Sequence, residues 1–275
     1  MKVILITGAS SGIGYETALR LAQKGHRVYG AARRVERMEP LKEYGVVPIR
    51  MDLADEASLE AGVKSVLEAE GRIDVLVNNA GYGYLGAIEN VPLEEARRQM
   101  EVNLFGLARL TQLVLPGMRE RRSGRIVNVS SIVGKAALLF GGWYNISKYA
   151  VEAFSDELRI DVKPFGIKVC IIEPSGIKTA WGDIAADNLE ESCKGTAYED
   201  RALRMARAMH WVFSTNLLSP PARVTSAIVK AVESRHPRLR YRPGLGATSM
   251  LALHAIMPAR WWDALVGRLG KMNIG

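Results

Sequence analysis

The chain has 275 residues, with 37 Lys and Arg against 29 Asp and Glu for a formal net charge of +8, and it is 48% hydrophobic and 24% charged. That balance excludes a disordered or collagen-like chain, no apolar run approaches the ~20 residues that span a bilayer, and the length suits one α/β domain with an extension. The two cysteines, Cys170 and Cys193, form no CxxC pair, so neither a disulfide framework nor a thiolate metal cluster is expected. The positive charge alone selects no partner among nucleic acid, anionic lipid and phosphorylated ligands.

Residues 3–6 read as a first strand, too brief for a signal-peptide core, and a reducing, cytoplasmic setting is expected. It runs into Thr7-Gly8-Ala9-Ser10-Ser11-Gly12-Ile13-Gly14, which opens a helix over 15–24. Glycines there let the backbone approach a pyrophosphate while free N–H groups at the helix start bind its charge, so Gly8, Ser10, Ser11, Gly12, Ile13 and Gly14 are the expected cradle. The spacing G-x-x-x-G-x-G differs from the G-x-G-x-x-G fingerprint, and no Lys-Ser/Thr follows to suit a phosphate-binding NTPase.

A second strand over 28–31 ends in Ala31-Ala32-Arg33-Arg34. In a dinucleotide fold an acid here holds a ribose 2′-OH; with Ala32 in its place, Arg33 and Arg34 point to a 2′-phosphate and so to NADP(H), or else they are plain loop charges. The third strand, 46–49, leads to Asp52 and Leu53 as adenine-side candidates, although Asp52 would equally serve as a helix N-cap. After a helix over 58–70 and a fourth strand over 73–77 comes Asn78-Asn79-Ala80-Gly81, where small and amide residues let a ligand pass.

One long helix is expected over 93–118, then a fifth strand over 126–129 that ends in Ser130-Ser131. The helix over 143–164, stopped by Gly166, carries Tyr144 and Lys148 four apart and hence on one face. A nearby ammonium would lower the tyrosine pKa towards the working range of a general acid or base. The sixth strand, 168–172, leads into Pro174-Ser175-Gly176-Ile177-Lys178-Thr179, and residues 183–216 read as helical or mobile pieces that form a substrate lid. A helix over 220–234 and a short edge strand over 239–242 follow.

The tail, with Met250, Leu253, Met257, Trp261, Leu265 and Leu269 spaced by three or four, forms one apolar stripe bent at Pro258. Packing on the domain or on another subunit is favoured for it over an anionic membrane surface, which Arg260, Arg268 and Lys271 would suit. Alternating strands and helices imply βαβ units, and the fold class is a doubly wound, Rossmann-like parallel α/β sheet of about seven strands. The domain occupies residues 1–245, with a helical extension over 246–275.

In order along the chain, the glycine loop, Asn79-Ala80-Gly81, Asn103, Ser131, Tyr144-x-x-x-Lys148 and the Pro174 segment resemble the short-chain dehydrogenase/reductase family over nearly all of residues 1–180. The resemblance implies hydride transfer between nicotinamide and a substrate carbon. It implies Tyr144 as the proton donor, Ser131 as a hydrogen-bond partner of the reacting oxygen, Lys148 on the nicotinamide ribose, and Asn103 supporting a water relay through its backbone. Pro174, Gly176, Ile177 and Thr179 would lie against the nicotinamide, with Ser175 where the family usually has glycine. Family members are commonly dimers or tetramers, so a homo-oligomer is expected.

The chain looks most similar to NADP(H)-dependent reductases of hydroxysteroids, retinoids and other apolar carbonyls. Tyr82, Tyr84, Val133, Leu138 and Trp181 are the candidate lining for such a substrate, whereas Leu139 and Phe140 read as core. Two alternatives are a 3-oxoacyl-carrier-protein reductase, with Arg119, Arg121, Arg122 and Arg125 attracting the acidic carrier, and a nicotinamide-sensing regulator without turnover. The basic run Arg235-His236-Pro237-Arg238-Leu239-Arg240 lacks a readout motif, so no nucleic-acid partner is expected, and no metal is expected.

Overall fold

Strand β1 (Val3–Thr7) is buried at all five positions, as a central parallel strand covered on both faces must be. The structure, a computed structural model, describes residues 1–269. Strands β2 (Arg27–Ala32) and β3 (Val47–Arg50) lie to one side of β1, and β4 (Val75–Asn78), β5 (Gly124–Val129), β6 (Ile167–Ile172) and β7 (Arg240–Tyr241) to the other. The order is β3-β2-β1-β4-β5-β6-β7, and every pairing is parallel. The order reverses between β1 and β4, the position at which open parallel sheets bind ligands beyond their carboxyl ends.

The helices are α1 (Gly12–Gln23), α2 (Glu56–Glu70), α3 (Leu93–Met100), α4 (Gly106–Glu120), α5 (Gly142–Val162), α6 (Trp181–Cys193), α7 (Glu199–Ser214), α8 (Pro221–Glu233), α9 (Ala247–Ile256) and α10 (Ala259–Leu269). The two-residue period of β1 divides the core. Ile4 and Ile6 face the layer of α1 and α8, with Leu21, Val224 and Ile228. Val3 and Leu5 face α2, α4 and α5, with Leu59, Leu110 and Leu158.

The single helix expected over 93–118 is interrupted. A π turn, Glu101–Phe105, separates α3 from α4 and buries Asn103. Immediately after it, a Cβ on Gly106 would lie 2.3 Å from the Leu53 carbonyl oxygen, so the helix can pass this close to Leu53 only at glycine. The apolar helical pattern runs through the inserted turn unbroken, which is why periodicity hides it.

The lid resolves into α6 and α7, packed together around Ala185, Leu189, Ala202 and Ala206. Both ends leave the sheet at one point, where Ile177 bridges Ser219 and Lys178 N and Ser219 N bond to Ser219 O and Gly176 O at 2.9 Å each. In the tail, Met250, Leu251, Met257, Trp262 and Val266 pack on Ile132, Val133, Ala136 and Leu138. The single expected stripe is not kept: α10 restarts after Pro258 with Trp262 buried at 6% exposure, while Leu253, Trp261 and Leu265 face solvent. Lys271 lies outside the described residues. Among those residues no helix is long and apolar enough to cross a membrane.

Candidate active site

The glycine loop turns beneath the carboxyl end of β1. Gly14 sits where a Cβ would lie 2.3 Å from Gly8 O, so α1 can begin against the loop only if this position is glycine. Gly12, at φ +54°, faces the opposite way into open space, and a Cβ there would meet only Thr179 Cγ2 at 3.9 Å. Ser11 caps α1 without a side-chain hydrogen bond, leaving the first helical N–H groups available to an anion; Ser10 and Ile13 are half-buried beside it.

Thr7 Oγ1 accepts from Asn79 N and Ala80 N at 3.0 Å each, and Asn79 Nδ2 donates to Thr7 O at 2.9 Å. These bonds sew the Asn79-Ala80-Gly81 turn to the glycine loop. Gly81 in turn approaches both Asn103 and Lys148. Beyond β2, Arg33 and Arg34 are exposed, and neither has an ion-pair partner among the described residues. The glycine loop, uncapped helix amides and unpaired guanidinium groups together form a donor set that fits a nicotinamide dinucleotide.

Two adenine-side candidates behave differently from their reading in sequence. Asp55, not Asp52, caps α2, accepting from Ala57 N and Ser58 N; Asp52 Oδ1 accepts only from Ala54 N at 3.1 Å and stays half-exposed. The Leu53 side chain is buried against α2 and α4. Ser175 is likewise buried, and its hydroxyl donates to Leu245 O at 2.9 Å. The serine thus fastens the Pro174 segment to the start of the tail, a role that glycine could not fill.

Tyr144 and Lys148 rise one turn apart on α5, with Lys148 Nζ 5.9 Å from the centre of the tyrosine ring. The ammonium donates to Val129 O at 2.9 Å, and a lysine ammonium has two further N–H groups to offer. Ser131 follows β5, with its hydroxyl 3.5 Å from Pro174 O and beside the Tyr144 phenol. Asn103 donates through Nδ2 to Ser147 Oγ at 3.0 Å and to Tyr82 O at 2.9 Å, while its Oδ1 accepts from Tyr82 N at 3.0 Å. The asparagine side chain therefore locks the π turn to the catalytic helix and to the 81–84 segment.

Burial pushes the Tyr144 phenol up to about 12, against the opposing hydrogen bond of Ser131. The expectation that Lys148 would dominate and lower it is not met, because the ammonium is directed at Val129 O instead of the phenol. Burial also lowers Lys148 to about 8, with Glu152 opposing. Glu152 stands one further turn along α5, where Arg240 joins it at 2.8 Å to Asp156 at 2.8 Å and Glu173 at 2.9 Å. Sequence reasoning missed this buried network because its members are remote in the chain; the only local signal was the four-residue repeat of Tyr144, Lys148 and Glu152.

On the substrate side, Trp181 packs against Tyr144 with ring centres 5.0 Å apart. It also presses on Gly83, where a Cβ would lie 2.4 Å from the indole. Val133 and Leu138 belong with Tyr144 to the tail cluster, and on the lid side Phe140 is buried and Leu139 half-buried. Tyr84 is anchored through its N–H to Gln99 Oε1 at 2.6 Å. The Tyr82 phenol is raised to about 12 by burial and by the charge of Glu95, with Arg98 and Arg33 opposing.

Residues 2–189 match the family model described as short chain dehydrogenase. The chain belongs to that family. Over 245 residues it is 37% identical to a 3-ketodihydrosphingosine reductase of Bacteroides thetaiotaomicron, covering 88% of each chain. Its fold is similar to that of a short-chain dehydrogenase from Streptomyces avermitilis, with a TM-score of 0.80, 34% identity and coverage of 98% of this chain and 97% of the other. An actinorhodin polyketide ketoreductase solved with NADPH shares 32% identity at a TM-score of 0.69, covering 83% and 88%. Of the four arginines expected to attract a carrier protein, Arg125 is buried and donates to Ala231 O and Val232 O, whereas Arg119, Arg121 and Arg122 are exposed, with Arg121 and Arg122 donating to Ile73 O and Pro164 O.

Proposed function

We propose that this protein is an NADP(H)-dependent oxidoreductase that interconverts an apolar ketone or aldehyde with its alcohol, in the manner of reductases of hydroxysteroids, retinoids and similar carbonyls. The observation that carries the reading is the convergence of Ser131 on the Tyr144 phenol under the indole of Trp181. An oxygen seated between the two hydroxyls has one donor to hold it and another to protonate it. The resemblance to a 3-ketodihydrosphingosine reductase supports ketone reduction.

Bound NADPH would supply the hydride. Tyr144, kept protonated by burial, gives its proton to the carbonyl oxygen, and Ser131 donates a hydrogen bond to the charge that develops there. Lys148 holds the ribose hydroxyls with its free N–H groups, and Arg33 pairs with the 2′-phosphate. Leu85, Leu139, Phe140 and Trp181 keep the reacting face dry.

The test follows NADPH absorbance against a panel from small aryl ketones to steroids and oxoacyl thioesters. Oxidation by the neutral apolar members is expected. NADPH binding with no oxidation across the panel would overturn the enzymatic reading in favour of a sensor.

A further inference from the structure

Two apolar clusters meet at Tyr144. One belongs to the lid and includes Phe140 and Trp181; the other belongs to the tail and includes Val133 and Trp262. Where the two layers separate outward, α7 and α10 enclose a recess of about 450 Å³ lined by Arg201, Arg204, Ala264, Gly267 and Arg268. Both walls are tied to the loop that joins Ser131 to Tyr144. Arg201 lies 5.9 Å above the Phe140 ring, and Trp262 Nε1 donates to Ala137 O at 3.0 Å.

None of the three arginines has a carboxylate partner within ion-pair distance among the described residues, although Asp200 and Asp263 stand on the same helices. Arg201 Nε is buried there without an acceptor, an arrangement that a folded protein retains only at a cost. Beneath it Phe140 adopts φ +56°, a region costly for any residue with a side chain and a mark of functional sites. Three guanidinium groups lining one recess, beside the two apolar clusters that meet at Tyr144, are complementary to an anion that carries a hydrocarbon body.

We infer that the recess between α7 and α10 receives the anionic end of the substrate, a phosphate monoester or similar group at the far end of an apolar chain whose carbonyl reaches Tyr144. The inference rests on the proposed oxidoreductase function and narrows its substrate to an elongated amphiphile. Arg204 and Arg268 hold the charge from opposite helices. Arg201 supplies the inner donor.

The test uses methyl ketones with 8 to 16 carbons, each prepared with a terminal phosphate monoester and as the methyl-capped counterpart, assayed with NADPH. The wild-type enzyme is expected to favour the phosphate form in kcat/KM by about tenfold or more at one optimal chain length, the worth of a charge-assisted contact. The preference should shrink as salt is raised. In the Arg204→Gln/Arg268→Gln double variant the ratio should fall towards one, and Arg204→Lys/Arg268→Lys should restore part of it. Because both arginines are on outer helix surfaces, circular dichroism and the melting temperature check that these variants are folded. Turnover of the capped ketones with no phosphate preference at any length, or a preference that survives the double substitution, overturns the inference while leaving the oxidoreductase reading intact. No turnover of either series together with a silent ketone panel instead defeats the reading beneath it.

Discussion

Asn103 Nδ2 donates to Ser147 Oγ at 3.0 Å, bonding the π turn to the residue just before Lys148. The same amide holds Tyr82 through both its backbone N–H and C=O. Asn103→Leu keeps the size and deletes all three bonds. A stability loss of about 1–3 kcal/mol per stranded buried group is expected, together with a fall in kcat larger than any change in cofactor affinity. Denaturant unfolding and steady-state kinetics measure the two effects, and an unchanged kcat would remove Asn103 from the positioning of α5.

Tyr144→Phe leaves the ring against Trp181 and takes away only the hydroxyl. Turnover should fall by about 10²–10⁴-fold, the contribution of a positioned proton donor. NADPH binding, followed by cofactor fluorescence, should persist. Comparable activity in the variant would exclude Tyr144 as the acid.

The two shifted groups predict opposite pH responses for the two directions. Lys148, lowered to about 8 by burial, is an ammonium below that pH and loses its charge above it. Tyr144, raised to about 12, stays protonated through neutral and mildly alkaline solution. Ketone reduction, which uses the protonated phenol and the ammonium, should decline as pH rises through about 8. Alcohol oxidation needs the phenol ionised, so its rate should climb with pH from 7 to 10. Parallel profiles for the two directions would refute this assignment.

Arg33→Ala should weaken NADPH by about 1.5–3 kcal/mol, the worth of a hydrogen bond to a charged group, and leave NADH nearly unaffected. Titration with both cofactors decides it. Equal losses would mean that Arg33 does not read the 2′-phosphate.

Arg240→Ala strips the shared cation from Glu152 and Glu173, which are 3% and 0% exposed. Arg242 still contacts Glu173 at 2.6 Å, and Lys135 reaches Glu152 at 3.6 Å. Loss of one partner from a buried pair costs about 3–5 kcal/mol; with those two cations remaining, about 3 kcal/mol is expected in denaturant unfolding. A loss below about 1 kcal/mol would mean that Arg242 and Lys135 neutralise the site unaided.

Local pattern revealed what is local. The strand over 3–6 and the helix bearing Tyr144 and Lys148 were legible because period and turn chemistry act between near neighbours, and the glycine loop announced its phosphate geometry through residue type alone. The π turn at Asn103 was not legible, since the Asn103 side chain bonds there to Ser147 and Tyr82, and Gly106 passes close to Leu53, all remote in the chain. The same holds for Ser175 bonding to Leu245 O and for Arg240 reaching back to α5. Each depends on which surfaces the completed sheet brings together.

The lid departs and returns through the single bridge between Ile177 and Ser219. The segment between those residues supplies no strand to the sheet, yet its Trp181 packs on Tyr144 and its Ser192 Oγ donates to Leu85 O at 2.9 Å. An exchanged segment must therefore keep its contacts at Tyr144 and Leu85 while every strand register stays as it is.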